Sequence, residues 1–144
     1  YPCTLATALS EAASGNTVDL AGGTYTGQFT VTTSVTIEPE TPGGAVTLDG
    51  GGAGRVVTVP SGSTVTIDGI SIVDGRTVAL GGGIENSGTL NVENSTISGN
   101  TSGNGGGIDN GASACTCLPK YSASCANPEF TVSTAAICGS DNIR

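Results

Sequence analysis

Short segments in which apolar and polar residues alternate follow one another along most of the chain. Residues 64–72, TVTIDGISI, and residues 89–97, TLNVENSTI, alternate Val, Ile or Leu with polar residues on both sides of a turn. A period of two is typical of strands with one buried face, and β-branched residues favour a pleated surface. Similar pieces at 18–20, 29–31 and 35–37 are separated by Gly, Ser or Thr. The pattern predicts many short strands joined by tight turns.

A helical period appears near the start of the chain. Leu5, Ala8, Leu9 and Ala12 recur at helical spacing within residues 4–14. Gly15-Asn16 then forms a typical helix stop. We therefore predict that residues 1–16 hold a short helix that caps the strands.

The strand pattern repeats along the chain. Residues 64–72 overlay residues 89–97 with a shift of 25 and no gap, and Gly-Gly-Gly-Ile recurs with a shift of 24. Repeats of this length, built only of short strands and turns, predict one coil of a parallel β-solenoid each, with about four or five coils over residues 17–110. The predicted core includes Val65, Ile67, Ile72, Leu90, Val92 and Ile97.

The repeated phrase, GGGIEN and then GGGIDN, predicts a repeated corner of the coil. Glycine allows the positive φ and the close backbone approach that a sharp corner requires. Ile84 would stack on Ile108 about 4.8 Å away, as in neighbouring strands. Asn86 would stack on Asn110, so that their amides hydrogen-bond along the axis. The predicted corner residues are Gly81, Gly82, Gly83, Asn86, Gly105, Gly106, Gly107 and Asn110.

Composition favours a narrow core over two broad packed layers. The 144 residues include 24 Gly, 3 Tyr and 2 Phe, with no Met, Trp or His, so few large side chains are present to fill an ordinary core. No apolar run reaches the ~18 residues of a transmembrane helix. No signal peptide is visible at Tyr1. We expect one domain without membrane insertion, numbered from a processing site or from within a longer precursor.

The charge of the chain disfavours two classes of partner. The net charge is −8, whereas nucleic acids and anionic membranes bind clustered Lys and Arg. An acidic surface also serves solubility alone, so the charge by itself assigns no partner. The basic residues are Arg55, Arg76, Lys120 and Arg144.

Two segments resemble a known class of solenoids. Residues 4–40, TLATALSEAASGNTVDLAGGTYTGQFTVTTSVTIEPE, resemble the N-terminal cap and first coil of right-handed parallel β-helix proteins of the pectate-lyase-like superfamily. Residues 81–110 resemble the Gly-Gly-x-Ile/Asn repeats of its polymorphic-outer-membrane-protein-like branch. The resemblance implies an all-β fold, a short right-handed parallel β-helix with an N-terminal capping helix. The class holds lyases, hydrolases, adhesins and structural fibres, so it implies no single activity.

The chain has five cysteines, which indicate an oxidising, extracellular compartment. Without His, and with one tight Cys-x-Cys pair, the residues do not fit a zinc site. The odd count leaves a free thiol or a bridge to another chain. The spacing does not fix the pairing, beyond disfavouring a bridge inside Cys-x-Cys. We predict a disulfide-containing C-terminal segment at 111–144, and the candidates are Cys3, Cys115, Cys117, Cys125 and Cys138.

Acidic residues supply the candidates for an enzymatic alternative. Asp68 aligns with Glu93 on successive coils, where two carboxylates repel each other or bind a cation. The resemblance implies that lyases of the class hold Ca²⁺ with acids and use Arg or Lys as base, while hydrolases use paired carboxylates. The arginines lie in no recognisable lyase motif, and Asp before Gly is typical of turns. We therefore predict no catalytic, cofactor-binding or metal-binding residue; the acids weighed were Asp49, Asp68, Glu93 and Asp109.

Two surface motifs remain. Thr-x-Thr runs such as TYT and TVT suggest ice binding as a candidate function. That function needs threonine rows aligned on many coils. The runs fall at irregular offsets, so we expect ordinary solvent-facing threonines. Asn94-Ser95-Thr96 and Asn100-Thr101-Ser102 fit the N-glycosylation acceptor sequence. Asn94 and Asn100 are therefore glycosylation candidates.

The ends of the solenoid direct the functional prediction. Each end has an edge whose N–H and C=O groups are ready to pair with another chain. The helix would cover one edge, whereas the other meets segment 111–144 with its strand-like residues 129–134. We predict a non-catalytic extracellular or cell-surface structural protein that self-assembles head to tail into a fibre, with copies of itself as partners and glycans as further ligands. Two alternatives stay open: the tail folds back as a cap, or an acidic face around Asp68 and Glu93 binds or cleaves polysaccharide.

Overall fold

The chain forms a parallel β-solenoid of about four coils, as a computed structural model describes it. The structure describes residues 3–111, 129–132 and 135–136. Each coil contributes one strand to each of three parallel sheets, named A, B and C.

In sheet A the coils supply β1 (Asn16–Leu20), β4 (Val35–Pro39), β7 (Thr64–Asp68) and β10 (Thr89–Glu93). In sheet B they supply β2 (Gly23–Thr26), β5 (Val46–Asp49), β8 (Ile70–Val73) and β11 (Ser95–Ser98). In sheet C they supply β3 (Phe29–Thr30), β6 (Val57–Val59), β9 (Ile84–Asn86) and β12 (Ile108–Asn110). The solenoid and its repeat, predicted from the sequence, are confirmed.

The predicted N-terminal helix is present as α1 (Leu5–Glu11). Its first turn is capped by Thr4, whose Oγ1 accepts a hydrogen bond from the Thr7 amide at 3.2 Å. It ends at Ala12, whose extended ψ of 132° breaks the helical path. Leu5 and Leu9 are buried, and α1 contacts β3. The helix therefore covers apolar surface at the first coil.

The core consists of columns in which each side chain lies on the equivalent one of the next coil. Along sheet A, Ile37 pairs with Ile67 and Ile67 with Val92; along sheet B, Leu48 pairs with Ile72 and Ile72 with Ile97. Alternate positions of these strands face inward, so one sheet face is buried against the others. All six core residues named from the sequence are at most 1% exposed: Val65, Ile67, Ile72, Leu90, Val92 and Ile97.

Coil length varies more than the sequence repeat indicates. Asn16 pairs with Val35, but Val35 pairs with Val65, because the second coil has longer connections between its strands. The 24- to 25-residue period seen in the sequence holds in all three sheets only between the last two coils. A solenoid tolerates this variation because loops leave the stack at its corners while the strand pairing continues.

Two strands of segment 111–144 pair with the last coil. β13 (Glu129–Val132) lies antiparallel to β11, and β14 (Ala135–Ala136) lies antiparallel to β10. They therefore occupy the edges that β10 and β11 would offer to a further coil. The four cysteines of this segment, Cys115, Cys117, Cys125 and Cys138, lie outside the described residues. Among the residues that are described, Cys3 is an exposed free thiol and no disulfide occurs.

Candidate functional site

The outer face of sheet A carries two rows of polar side chains. One row pairs Thr17 with Thr36, Thr36 with Thr66, and Thr66 with Asn91. The second row lies two residues further along each strand, because outward positions alternate with core positions. This row is acidic on all four coils. Its members are Asp19, Glu38, Asp68 and Glu93.

The pairing of Asp68 with Glu93, predicted from the repeat, is confirmed by the strand register. Asp68 Oδ1 accepts a hydrogen bond from Asn94 Nδ2 at 2.8 Å. Asn94 holds a positive φ of 47° at the turn between β10 and β11, a conformation that asparagine tolerates better than most residues. The acidic row thus continues into the corner between sheets A and B.

An open groove of about 540 Å³ lies at this corner. Carboxylates of successive coils, Glu38 and Asp68, line it beside the Asn94 amide. Pro39, Pro42, Gly43, Gly44 and Gly69 complete its walls. Such a surface offers several hydrogen-bond acceptors and one amide to a polar ligand that runs along the solenoid axis.

A second charged cluster on sheet C was missed in the sequence. Asp109 pairs with Glu85 on adjacent strands, and Glu85 forms an ion pair with Arg55. Arg55 also donates to the Leu80 carbonyl at 2.6 Å through Nη2 and to the Gly81 carbonyl at 3.0 Å through Nε. Glu85 and Asp109 follow Ile in the two repeats of the Gly-Gly-Gly-Ile phrase, so the repeat itself could have revealed the pair.

Asp109 is the most unusual member of this cluster. Its side chain belongs to a residue only 2% exposed, and its Oδ2 atom has no hydrogen-bond partner. Burial raises the pKa of its carboxyl above the ordinary value of 3.8; the Glu85 charge raises it further, and Arg55 lowers it. The environment therefore favours the neutral form of Asp109.

The predicted corner residues lie on and before strands β9 and β12. Ile84 pairs with Ile108, and Asn86 pairs with Asn110. Asn86 Nδ2 donates to Asn110 Oδ1 at 2.7 Å, and Asn86 Oδ1 accepts from the Gly88 amide at 3.1 Å. Gly81 and Gly105 both have positive φ. These residues satisfy buried backbone and amide groups, which assigns them to the framework.

The two glycosylation candidates lie in different environments. Asn94 is exposed. Asn100 is 8% exposed; its Nδ2 donates to the carbonyls of Ile72 and Ser98, and its Oδ1 accepts from the Gly75 amide. A glycan on Asn100 would displace these bonds, so the folded chain presents Asn94 alone of the two.

Threonines and one serine form a single aligned row on sheet B, although their offsets in the sequence are irregular. Thr24 pairs with Thr47, Thr47 with Ser71, and Ser71 with Thr96. The alignment is possible because unequal coil lengths absorb the irregular offsets in the sequence. The adjacent row, Thr26, Asp49, Val73 and Ser98, mixes polar and apolar groups, so no regular Thr-x-Thr array results.

Searches for a metal site and for a membrane-spanning helix give negative findings. Within the described part of the chain, no three His, Cys, Asp or Glu residues are grouped so as to hold a metal ion. The same residues include no helix with the length and apolarity needed to cross a bilayer.

Comparison with known proteins yields no relative. No protein-family model matches this chain, and neither a search of curated proteins nor a search of solved structures finds a match.

Proposed function

We propose that this chain is a non-catalytic extracellular or cell-surface structural module. The observation that carries the proposal is the unbroken stacking of core columns through all four coils, such as Val18, Ile37, Ile67 and Val92 in sheet A. Stacked coils give a stiff scaffold whose outer faces are free to display polar rows. We further propose that it is a right-handed member of the pectate-lyase-like class, supported by its cap, its coils and its Gly-Gly-x-Ile repeats, and by the general right-handedness of parallel crossovers.

Extracellular placement is supported by surface chemistry. The chain combines five cysteines with a net charge of −8, and its Asn94 sequon is exposed. These properties suit a secreted protein, because disulfides persist outside the reducing cytosol.

The helix at the first coil and the strand pairing at the last coil favour a discrete module over a head-to-tail fibre. The helix contacts β3 at the first coil, and β13 and β14 occupy the edges of β11 and β10 at the last coil. A second copy would have to displace these strands or pair with their outer edges. This arrangement supports the alternative in which the tail folds back on its own solenoid.

The first experiment is electron microscopy of the purified protein with and without reductant, beside size-exclusion chromatography with light scattering and a non-reducing gel. A discrete module gives short monomeric particles under both conditions. Long uniform fibres, or a disulfide-linked ladder on the gel, would overturn the capped module and support self-assembly through the ends.

A second candidate, polysaccharide binding, is favoured by the acidic groove on sheet A. Glu38, Asp68 and Asn94 line one continuous surface along the axis. Calorimetric titration with calcium and with a panel of neutral, uronate and amino polysaccharides tests this candidate. If binding is seen, the double variant Glu38→Gln, Asp68→Asn, at the two carboxylates that line the groove, should weaken it at least several-fold, whereas Asp49→Asn on sheet B should not. Absence of binding across the panel, or binding that the double variant leaves intact, rejects the acidic groove as the site.

A further inference from the structure

The last strand of sheet C contains a buried carboxyl group whose hydrogen bonding is incomplete. Asp109 lies on β12, is 2% exposed, and has an Oδ2 atom without a hydrogen-bond partner. Leaving a buried ionised carboxylate unpaired is strongly unfavourable, and such groups usually take up a proton instead. Asp109 therefore needs a partner or a proton that the surrounding framework does not supply.

Among the described residues, Arg55 is the one cation that interacts with Asp109, and it is committed to another group. Arg55 forms its ion pair with Glu85 and donates to the carbonyls of Leu80 and Gly81. Its Nη1 also lies 3.4 Å from Thr58 Oγ1 on β6. Arg55 thus balances Glu85, and within the described part of the chain no further cation forms an ion pair with Asp109.

Charge balance around Asp109 therefore calls for one proton. The charged groups of the described chain that interact with Asp109 are Glu85 on β9 and Arg55 before β6; β6 contributes the neutral hydroxyl of Thr58. With both acids ionised, the three groups carry a net charge of −1. A single bound proton neutralises the group. Asp109 and Glu85 are register partners on strands about 4.8 Å apart, and like charges so placed disfavour double ionisation.

We propose that Asp109 binds a proton and acts as a pH-sensitive latch that fastens β12 to β9. Protonated Asp109 donates a hydrogen bond across the strand pair to the Glu85 carboxylate, which removes the unpaired buried charge. Loss of the proton leaves two like charges on neighbouring strands of the last coil. The latch is independent of any ligand that the outer faces bind.

The direction of the pH effect follows from the raised pKa of Asp109. A carboxyl whose pKa is higher in the folded than in the unfolded chain holds its proton more tightly when folded. Its stabilising contribution is complete below the ordinary value of 3.8, and is lost as the pH rises through the raised pKa. Rising pH should therefore loosen β12 first.

Thermal unfolding and amide hydrogen exchange, both measured against pH, test the latch. In the wild-type chain, the unfolding midpoint should fall and exchange at residues 108–110 should quicken as Asp109 ionises, while exchange at residues 64–68 changes less. Asp109→Asn should remove this pH step and raise the midpoint at neutral pH by a few degrees. The control Asp19→Asn, at an exposed carboxylate of sheet A, should keep the step.

Several outcomes would overturn the latch. Parallel pH profiles for the wild type and Asp109→Asn would do so, as would unchanged exchange at residues 108–110. Restoration of the neutral-pH midpoint by Na⁺ or Ca²⁺ at constant ionic strength would assign the site to a cation instead. If Asp109→Asn fails to fold, the carboxyl titration of wild-type Asp109 by carbon NMR decides: an ordinary pKa rejects the proton bound at Asp109.

Discussion

Gly105 illustrates how a single residue fixes the corner of a coil. Its φ is 62°, in the left-handed region, and a Cβ atom built there would lie 2.6 Å from the Ile108 carbonyl oxygen. Gly52 has a similar φ of 66°, but a Cβ atom there would meet nothing within 4 Å. A side chain at Gly52 would therefore meet backbone strain alone, whereas one at Gly105 would meet backbone strain and a steric clash.

The first prediction compares alanine at these two glycines. Gly52→Ala should lower the free energy of unfolding by about 1–2 kcal/mol, the cost of left-handed backbone for a residue with a Cβ atom. Gly105→Ala should cost clearly more, because the clash with the Ile108 carbonyl is added. Urea unfolding measures both. Equal losses would contradict the close approach at the corner.

Asp109 also belongs to the residue scale. The sequence named it as one acid among four, without a reason to distinguish it from Asp49 or Asp68. What distinguishes it is burial, which depends on packing around the last coil and has no signature in the local sequence. Its raised pKa is therefore a consequence of tertiary structure.

At the scale of elements, the asparagine pair joins two strands through their side chains as well as their backbones. Asn86 on β9 is 0% exposed and donates to Asn110 on β12. Asn91 on β10 makes a comparable amide contact with Thr66 on β7, at 3.3 Å, on the outer face of sheet A. Asparagine side chains thus link neighbouring strands both in the buried interior and on the half-exposed outer face.

The second prediction contrasts these two asparagines. Asn86→Ala should lower the free energy of unfolding by about 1–3 kcal/mol, because buried polar groups lose their partners. Asn91→Ala should stay within about 0.5 kcal/mol, as for a surface substitution. Denaturant unfolding of the two variants gives the comparison. A loss at Asn91 as large as at Asn86 would mean that burial does not govern the ladder.

At the scale of the whole molecule, the charge is concentrated as well as large. The net charge is −8, and one outer face carries an acid on each coil. Asp68 and Glu93 lie on adjacent strands in register, and like charges directly opposite each other are destabilising. The row lowers stability unless salt or a ligand screens it.

The third prediction addresses this repulsion. Glu93→Gln should raise the free energy of unfolding by a few tenths of a kcal/mol at low ionic strength. The gain should shrink towards zero near 1 M salt, where the Debye length is about 3 Å. Glu11→Gln on the capping helix, outside the row, serves as the control. A gain that does not depend on salt would contradict an electrostatic origin.

The sequence predicted the framework well for a physical reason. Strand alternation, the Gly-Gly-Gly-Ile repeat and the alanine-rich start are local patterns, and each directly constrains backbone geometry. The stacking of Ile84 on Ile108 and of Asp68 on Glu93 followed from the repeat alone. The first two coils were harder to predict from the sequence, because Val35 and Val65 pair across a connection with no repeat signal.

The candidate functional surfaces could not be predicted from the repeat, because they depend on loop length and burial. The alignment of Thr24, Thr47, Ser71 and Thr96 required knowing how much chain each loop removes from the stack. The sequon at Asn100 reads like the one at Asn94, yet its amide is held by three backbone groups. Exposure, and not the motif, separates them.

The sequence by itself determined the class of fold, the position of the helix, the core residues and the corner asparagines, because these follow from short-range periodicity. The tertiary structure decided three further features: the grouping of Arg55, Glu85 and Asp109, the continuity of the acidic row, and the antiparallel pairing of β13 and β14 with the last coil. Each of these joins segments through the closure of whole coils, and that closure depends on loop lengths and burial that no local pattern specifies.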